Sequence, residues 1–376
     1  MTRNARWGMT ALALTLSTAA CGSGDASDEG SKPAPIRRIS TSSNEFTPME
    51  LEVTIDRLVT ELNRRPSRPM QMAILLKEAS GFWSPVVKAA TRAMGELGVL
   101  GSVIGPIAEG ADDEERVELQ NRQIEQVVAD GAEGLGLAPF NNVQTAAVDD
   151  AIARGVHVVT LDTDVPTTRR SLHVGTLDIA AGRTAGETLL AMLPPAPGTV
   201  ILHGSEDTEW VNGMERTLSA REVLEAAGYE VLVRQATWTS TGEAEDVEWM
   251  QARLGSADPP VVGMLGLFNI SYRCAMAAEA ASKLDIPIVA FDFDPKTVDY
   301  MRQGRIQATH IQRQYYQGYL VPYILYGINS IGLEATKQIL IPLLVDGSRV
   351  NTGVDVVPAD KIDAYNDFLG SIDANQ

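Results

Sequence analysis

VVTLDTDVP (158–166) and IVAFDFDP (288–295) are apolar runs that end alike, in Asp-x-Asp and then proline. Neither alternates polar with apolar residues, so each reads as a strand covered on both faces, as in a parallel sheet between helix layers. Runs of the same kind recur on either side: MQMAILL (70–76), VLGSVIG (99–105), GLGLA (134–138), VHVVTLD (156–162), LHVG (172–175), TVILHG (199–204), YEVLVRQA (229–236), VVGMLGL (261–267) and IPIVAFDF (286–293). Between them, periods near 3.6 residues predict helices over Val86–Leu97, Val117–Ala129, Val143–Ala153 and Leu218–Ala227. Gly98, Gly131, Gly155 and Gly228 stand where those helices should stop. Alternating strand and helix predicts a doubly wound α/β architecture with parallel sheets. Ligands of such sheets sit beyond the carboxyl ends of the strands. Asp162 and Asp292, directly at two strand ends, are therefore expected to contact a ligand. Asp164 and Asp294 are expected to cap the turn or helix that follows.

The N-terminus speaks to compartment. Arg3 and Arg6 precede an apolar run from Met9 to Leu16, and Ser17-Thr18-Ala19-Ala20 leads into Cys21. Residues 1–20 read as a signal peptide, too short to span a membrane. The segment resembles the bacterial lipoprotein signal, with Thr18 where that signal usually has an apolar residue. The resemblance implies lipid on the Cys21 thiol and an exported protein, periplasmic or at the cell surface, held to the membrane by that anchor. Residues 21–47, rich in Gly, Ser, Asp and Pro, are expected to form a disordered tether, followed by a helix within 48–66 with Leu51, Ile55, Leu58, Val59 and Leu62 on one face.

What remains is roughly 325 residues, more than one core usually serves, so two lobes are expected. A formal net charge of −18 disfavours nucleic acid and anionic membrane surfaces as partners. Of two cysteines, Cys274 is left unpaired if Cys21 carries lipid, so no disulfide framework is expected. His157, His173, His203 and His310 are scattered and no CxxC occurs, so no metal site is expected. With neither GxGxxG nor a Walker-type loop at a strand–helix junction, no phosphate-bearing cofactor is expected.

Four blocks carry a resemblance to one family. ILLKEASGFWSPVVKAATRAMGELG (74–98), VVTLDTDVPTTRRSLHVGTLDIAAGRTAGE (158–187), IVAFDFDPKTVDYMRQGRIQATHIQRQYYQGY (288–319) and GVDVVPADKIDAY (353–365) resemble, in order, segments of the ribose- and galactose-binding periplasmic receptors. The resemblance spreads over 70–370 and implies the type I periplasmic binding fold. That fold has two doubly wound parallel-sheet lobes joined by a three-segment hinge. It places an N-lobe over 70–175 plus 313–345 and a C-lobe over 176–312 plus 346–372, with crossings near 175, 292 and 312. It also implies a monomer that catalyses nothing. A small sugar or polyol is bound in the cleft, and the closed form is presented to an ABC transporter permease, or to a sensor or chemoreceptor.

The resemblance points to particular residues. Ser80, Phe82 and Trp83 stand where the family places an asparagine and two aromatics after its first strand. Asp162 matches an aspartate that accepts bonds from ring hydroxyls, and Thr163 replaces the arginine that often follows it. In VNGMERTLSAREVL (211–224), Asn212 and Met214 lie at the ligand-contacting position and Arg216 is expected to form a structural ion pair. Trp238 matches a second-lobe aromatic that would sandwich a ring against Trp83. Asn269, Asp292 and Gln312 complete the set. Aspartate, amides and aromatic faces suit a neutral polyol without help from the family, pairing donors and acceptors with stacking surfaces. Thr163 and two tryptophans suggest a ring larger or less polar than ribose, a nucleoside among the alternatives. The rival reading takes the Asp-x-Asp pairs as the metal-holding carboxylates of a sugar-nucleotide enzyme.

Overall fold

The computed structural model describes residues 35–41, 43–105, 113–140 and 144–375; the signal segment and Cys21 lie outside them. The described chain begins with a short extended segment and helix α1 (Met49–Leu62). It continues through β1 (Gln71–Leu75), α2 (Ser84–Leu97), β2 (Leu100–Ile104), α3 (Asp113–Ala129), β3 (Gly134–Leu137), α4 (Thr145–Ala153), β4 (His157–Leu161) and β5 (Leu172–Gly175). A second series follows: α5 (Asp178–Leu190), β6 (Thr199–Gly204), α6 (Val211–Ala226), β7 (Glu230–Gln235), α7 (Gly242–Ser256), β8 (Val261–Gly266), α8 (Tyr272–Ala280), β9 (Ile288–Phe291), α9 (Pro295–Arg302) and β10 (Ala308–Gln312). The chain then adds α10 (Gln314–Ile331), α11 (Leu333–Leu340), β11 (Leu344–Val345) and β12 (Arg349–Asn351), and closes with β13 (Val354–Pro358) and α12 (Ile362–Ser371).

Every apolar run named from the sequence holds a strand. The helix-ending glycines adopt left-handed φ, 64° at Gly98 and 91–92° at Gly131, Gly155 and Gly228, as a glycine stop requires. The strands form two sheets, ordered β11-β12-β5-β4-β3-β1-β2 and β13-β10-β9-β8-β6-β7. All pairings are parallel except β11 with β12 and β10 with β13. Strands β3, β5, β6, β9 and β10 are buried along their whole length, and β4 is buried after His157, which explains their unbroken apolar runs. The order reverses between β1 and β3 in the first sheet and between β6 and β8 in the second. Loops beyond the strand ends part at such points and leave a crevice.

Two glycines let helices approach closely. A Cβ at Gly318 on α10 would lie 2.4 Å from the carbonyl oxygen of Val86 on α2. One at Gly182 on α5 would lie 2.0 Å from the carbonyl oxygen of Arg216 on α6. Both contacts are backbone to backbone, and no other residue type fits there.

The chain crosses between the sheets after β5, between β10 and α10, and between β12 and β13. Two expected crossing points differ. Position 292 is not a crossing, because the Asp292 amide donates to His310 at 2.7 Å within the second sheet. The last crossing comes at Thr352–Gly353 rather than at 345/346, because Arg349–Asn351 pairs in parallel with β5 of the first sheet. The short run RVN lacked the apolar length that marks a strand in the sequence.

Described residues within the expected tether 21–47 are packed on the protein. Ile36 is 7% exposed, and its amide and carbonyl both bond the Asn63 side chain, at 2.8 and 3.0 Å. Arg38 is ion-paired with Glu52 and Asp56, and Thr41 donates to Glu52 at 2.9 Å. Buried ion pairs need tertiary partners and are invisible to composition. Helix α1 packs its Leu51, Ile55, Leu58 and Leu62 face on the first lobe against α10 and α11.

Candidate ligand-binding site

The first-lobe wall starts one residue beyond the β1 run. The Lys77 ammonium donates to Thr163 Oγ1 at 2.5 Å, lies 3.7 Å from Asp162 Oδ2, and sits 5.9 Å from the Trp83 ring centroid. Asp162 holds an uncommon left-handed φ of 62° at the end of β4, while its amide donates to Val174 at 3.0 Å. Aspartate tolerates that conformation better than most residues do. Thr163 Oγ1 donates in turn to Asp162 Oδ2 at 3.1 Å. Ser80 is exposed ahead of the turn Gly81–Trp83, and Phe82 is half-buried edge-on to Trp83 at 5.2 Å. Trp83 is 6% exposed and belongs to the core beneath α2.

Buried charge organises the second-lobe wall. Asp178, in the first turn of α5, receives Arg216 Nε at 3.0 Å and Nη2 at 2.5 Å. Arg216 Nη1 donates to the Leu267 carbonyl at 2.9 Å, and its guanidinium lies 4.1 Å over the Phe291 ring. The structural ion pair expected of Arg216 is present. Burial still pushes the Asp178 carboxyl up to about 6, against the pull of Arg216. Asn212 Nδ2 donates to Asp178 Oδ2 at 3.0 Å and, across the cleft, to the Asp162 carbonyl at 2.6 Å. One amide thereby links the two lobes. Met214 lies half-buried further along the same helix.

Asp292 mirrors Asp162 at the end of β9, with φ 66° and 3% exposure. Gln312 Nε2 donates to its Oδ1 at 3.1 Å, and Thr309 Oγ1 donates to its carbonyl at 2.7 Å. Burial pushes this carboxyl up to about 7; Arg216 and the Gln312 bond pull it down, and Asp162 pushes it further up. The other member of each Asp-x-Asp pair is committed elsewhere. Asp294 caps α9 by accepting from the amides of Lys296 and Thr297. Asp164 accepts from Thr160, the Val165 amide and Arg170. Burial acts to raise the Asp164 pKa, but His173 and Arg170 hold it below the usual carboxylate range. Neither pair offers two free carboxylates, which is the arrangement that the sugar-nucleotide enzyme reading needs. Among the described residues, no group of three or more His, Cys, Asp or Glu could hold a metal.

Trp238 is 49% exposed and stands edge-on to Trp210 at 5.3 Å and to Phe268 at 5.5 Å, with Trp210 and Phe268 themselves 4.6 Å apart. Asn269 follows Phe268, half-buried. A buried cluster fixes the loop that carries Trp238. Asp246 accepts from His203 at 2.8 Å, Arg234 at 2.8 Å and Arg273 at 2.6 Å, and Arg273 also donates to the Thr237 carbonyl at 2.7 Å. Burial works against the Asp246 charge, but these donors hold its pKa down at about 2. The tryptophans expected to face each other thus each join an aromatic group of their own lobe.

The structure brings together Asp162, Thr163 and Asn212 as one hydrogen-bonded group and Asp292 with Gln312 as another. Four neighbours had not been singled out: Lys77, Asp178, Trp210 and Phe268. Lys77 and Phe268 each directly follow a strand run, and a search of all strand ends for charged and aromatic residues finds both. Trp210 stands just ahead of the Asn212 helix, and Asp178 carries no signal beyond its place after a crossing.

The fold is matched by comparison with known proteins. The family model described as periplasmic binding protein domain matches residues 72–330. The chain belongs to the periplasmic binding protein family. A D-ribose/D-allose-binding protein of Pseudomonas aeruginosa is 23% identical over 213 residues, 54% of this chain and 65% of that relative's length. A solute-binding protein of Burkholderia graminis in complex with D-arabinose superposes with a TM-score of 0.67 at 24% identity, over 80% of this chain and 99% of the other. An arabinose-binding protein of Geobacillus stearothermophilus gives 0.65 at 23% identity, over 80% and 99%. Both likenesses extend the family's two-lobed α/β fold to essentially the full length of those relatives. Among the described residues, no helix is long and apolar enough to cross a membrane.

Proposed function

We propose that the protein is a solute-binding receptor that encloses a small neutral sugar or sugar-like polyol between its lobes, hands it to an ABC transporter, and catalyses no reaction. The observation that carries this reading is the Asn212 amide shared between Asp178 of one lobe and the Asp162 backbone of the other. The two lobes also supply Lys77 as a donor, Asp162 and Asp292 as acceptors, and Gln312 and Asn269 as groups that both donate and accept. Trp238, with Trp210 and Phe268 behind it, offers the exposed aromatic face on which the C–H side of a sugar ring stacks. A ligand touching both lobes stabilises the form in which they meet, which is how such a receptor signals occupancy. Bound D-arabinose in the Burkholderia relative and the D-ribose/D-allose name of the Pseudomonas relative support a pentose- or hexose-sized ligand. Export and anchoring through Cys21 belong to the same proposal.

A thermal-shift panel of D-arabinose, D-ribose, D-allose, other hexoses, inositols and nucleosides, followed by calorimetry, tests the reading. One neutral polyol should raise the melting temperature by several degrees. Silence across the panel would overturn it. Expression in a bacterial host with Cys21→Ser should release the protein from the membrane fraction if the anchor reading is right.

A further inference from the structure

The family model matches from Met72, yet described residues well before it pack on the protein. Residues 36–41 run along the first lobe, tied to α1 by Asn63, Glu52 and Asp56 and to α2 by Arg92, whose Nη2 donates to the Ile39 carbonyl at 2.6 Å. Tyr316 of α10 donates to the same Glu52 at 2.8 Å. The segment then turns sharply. The Asn44 side chain accepts from the Phe46 amide at 2.8 Å, and the Asn44 amide donates to Thr47 Oγ1 at 3.0 Å. The tip of that turn leaves the first lobe. Phe46 stands edge-on to Tyr365 at 5.1 Å and 6.0 Å from Phe368, and Glu45 pairs with Lys361 at 3.2 Å. Tyr365 and Phe368 lie on α12, which packs on α9 and β13 of the second lobe. Residues 36–41 and 43–47 therefore hold both lobes beside the hinge.

A second tie follows the same line. Lys88 on α2 of the first lobe reaches the Asn375 carbonyl at 3.1 Å and Asp373 at 3.3 Å, just beyond α12. Between the two ties lies the hinge strand end, where Arg313 bonds Asp355 at 2.6 Å and Tyr365 donates to the same carboxylate at 2.9 Å. Any rotation that separates the lobes moves α12 relative to α1 and α2, so both ties must slip or break. They exist together with the interlobe contact of Asn212 on Asp162 and favour the lobe angle in which that contact is made.

We propose that residues 36–41 and 43–47 form a strap, with Phe46 as its clasp, that biases the ligand-free protein toward the closed arrangement of its lobes. The strap acts on the hinge from outside the cleft. It sets how much of the ligand's binding energy is spent on closure, without touching the ligand.

The test uses the full chain with Cys21→Ser, spin-labelled at E118C in the first lobe and E248C in the second, both exposed positions, with the buried Cys274 unlabelled. Pulsed-dipolar distance distributions are recorded without ligand. Phe46→Ala should shift the population toward a longer distance, lowering the ratio of closed to open molecules about tenfold, the weight of two aromatic contacts. Phe46→Trp should restore the parent distribution. Glu45→Lys sets like charges together at the same contact and should give a smaller shift in the same direction, which adding Lys361→Glu removes. This pair decides the matter if Phe46→Ala folds poorly. Distributions unchanged in both Phe46→Ala and Glu45→Lys would overturn the strap and leave the ligand assignment untouched.

Discussion

Replacing Asp292 by asparagine should make the ligand-free protein more stable at alkaline pH while weakening its grip on ligand. Burial pushes this carboxyl from 3.8 to about 7. Between those values the folded chain keeps a proton that the unfolded chain has released, so the stability of the natural protein falls as pH rises through that window. A gap of that size corresponds to about 4 kcal/mol once both forms are ionised. Asparagine keeps an oxygen to accept from Gln312 and carries no charge, so the variant lacks this loss. The assay is urea unfolding of both proteins from about pH 4 to about pH 8, comparing free energies at each pH. Their difference should be near zero at the acid end and grow to several kcal/mol in favour of the variant. Asp178, pushed up to about 6, is common to both proteins and cancels. Calorimetry at the alkaline end should show weaker ligand binding in the variant, because an ionised acceptor bonds hydroxyls more strongly than an amide does. A stability difference that stays flat across the range would refute the claim that burial governs this carboxyl.

Arg216→Met should cost about 3–5 kcal/mol in urea unfolding, because it leaves Asp178 buried without its cation. Adding Asp178→Asn should recover much of that loss, a coupling read from the double-mutant cycle. Trp83→Ala and Trp238→Ala should separate stability from binding. The first empties a core position and should cost about 3–5 kcal/mol. The second truncates a half-exposed ring and should change the melting temperature little while weakening sugar binding about tenfold.

The sheets were legible because buried parallel strands leave a signature that survives without an alignment. Runs such as GLGLA and VVTLD have both faces covered, so their apolar character is continuous. Where a strand is short or lacks that run the signature fades: RVN at 349–351 carried no sign of joining β5, and the last crossing was misplaced by it. Asp162 and Asp292 were legible as strand-end acids, and Asp294 as a helix cap, because position along the chain dictates those roles. Asp178 and Trp210 carry no such signal, because their roles rest on partners brought together by folding, Arg216 and Asn212 for the first and Trp238 and Phe268 for the second. By composition alone the segment 36–47 reads as tether. Its order comes from Glu52, Asn63 and α12, partners far away in sequence that composition does not record.

The likeness of the two Asp-x-Asp segments has a physical meaning beyond repetition. Each lobe ends a buried strand with an aspartate in the left-handed region, and each such amide bonds forward into the neighbouring strand, Asp162 to Val174 and Asp292 to His310. A strand that continued in extended conformation would carry the next side chains alternately to the two sheet faces. The left-handed residue breaks that alternation at the sheet edge. A conformation of this kind persists where its surroundings over-determine it, and here the forward amide bonds and the Thr309 hydroxyl do so. The price is moderate for aspartate and larger for a bulky or β-branched residue. Substituting Asp292 or Asp162 by valine would therefore remove both an acceptor and a backbone turn, whereas asparagine removes the charge alone. The same two positions fix where the carboxylates stand and why aspartate, among the acidic residues, occupies them: its short side chain keeps the acceptor at the strand end, and a longer glutamate would reach past the donors of Gln312 and Thr163.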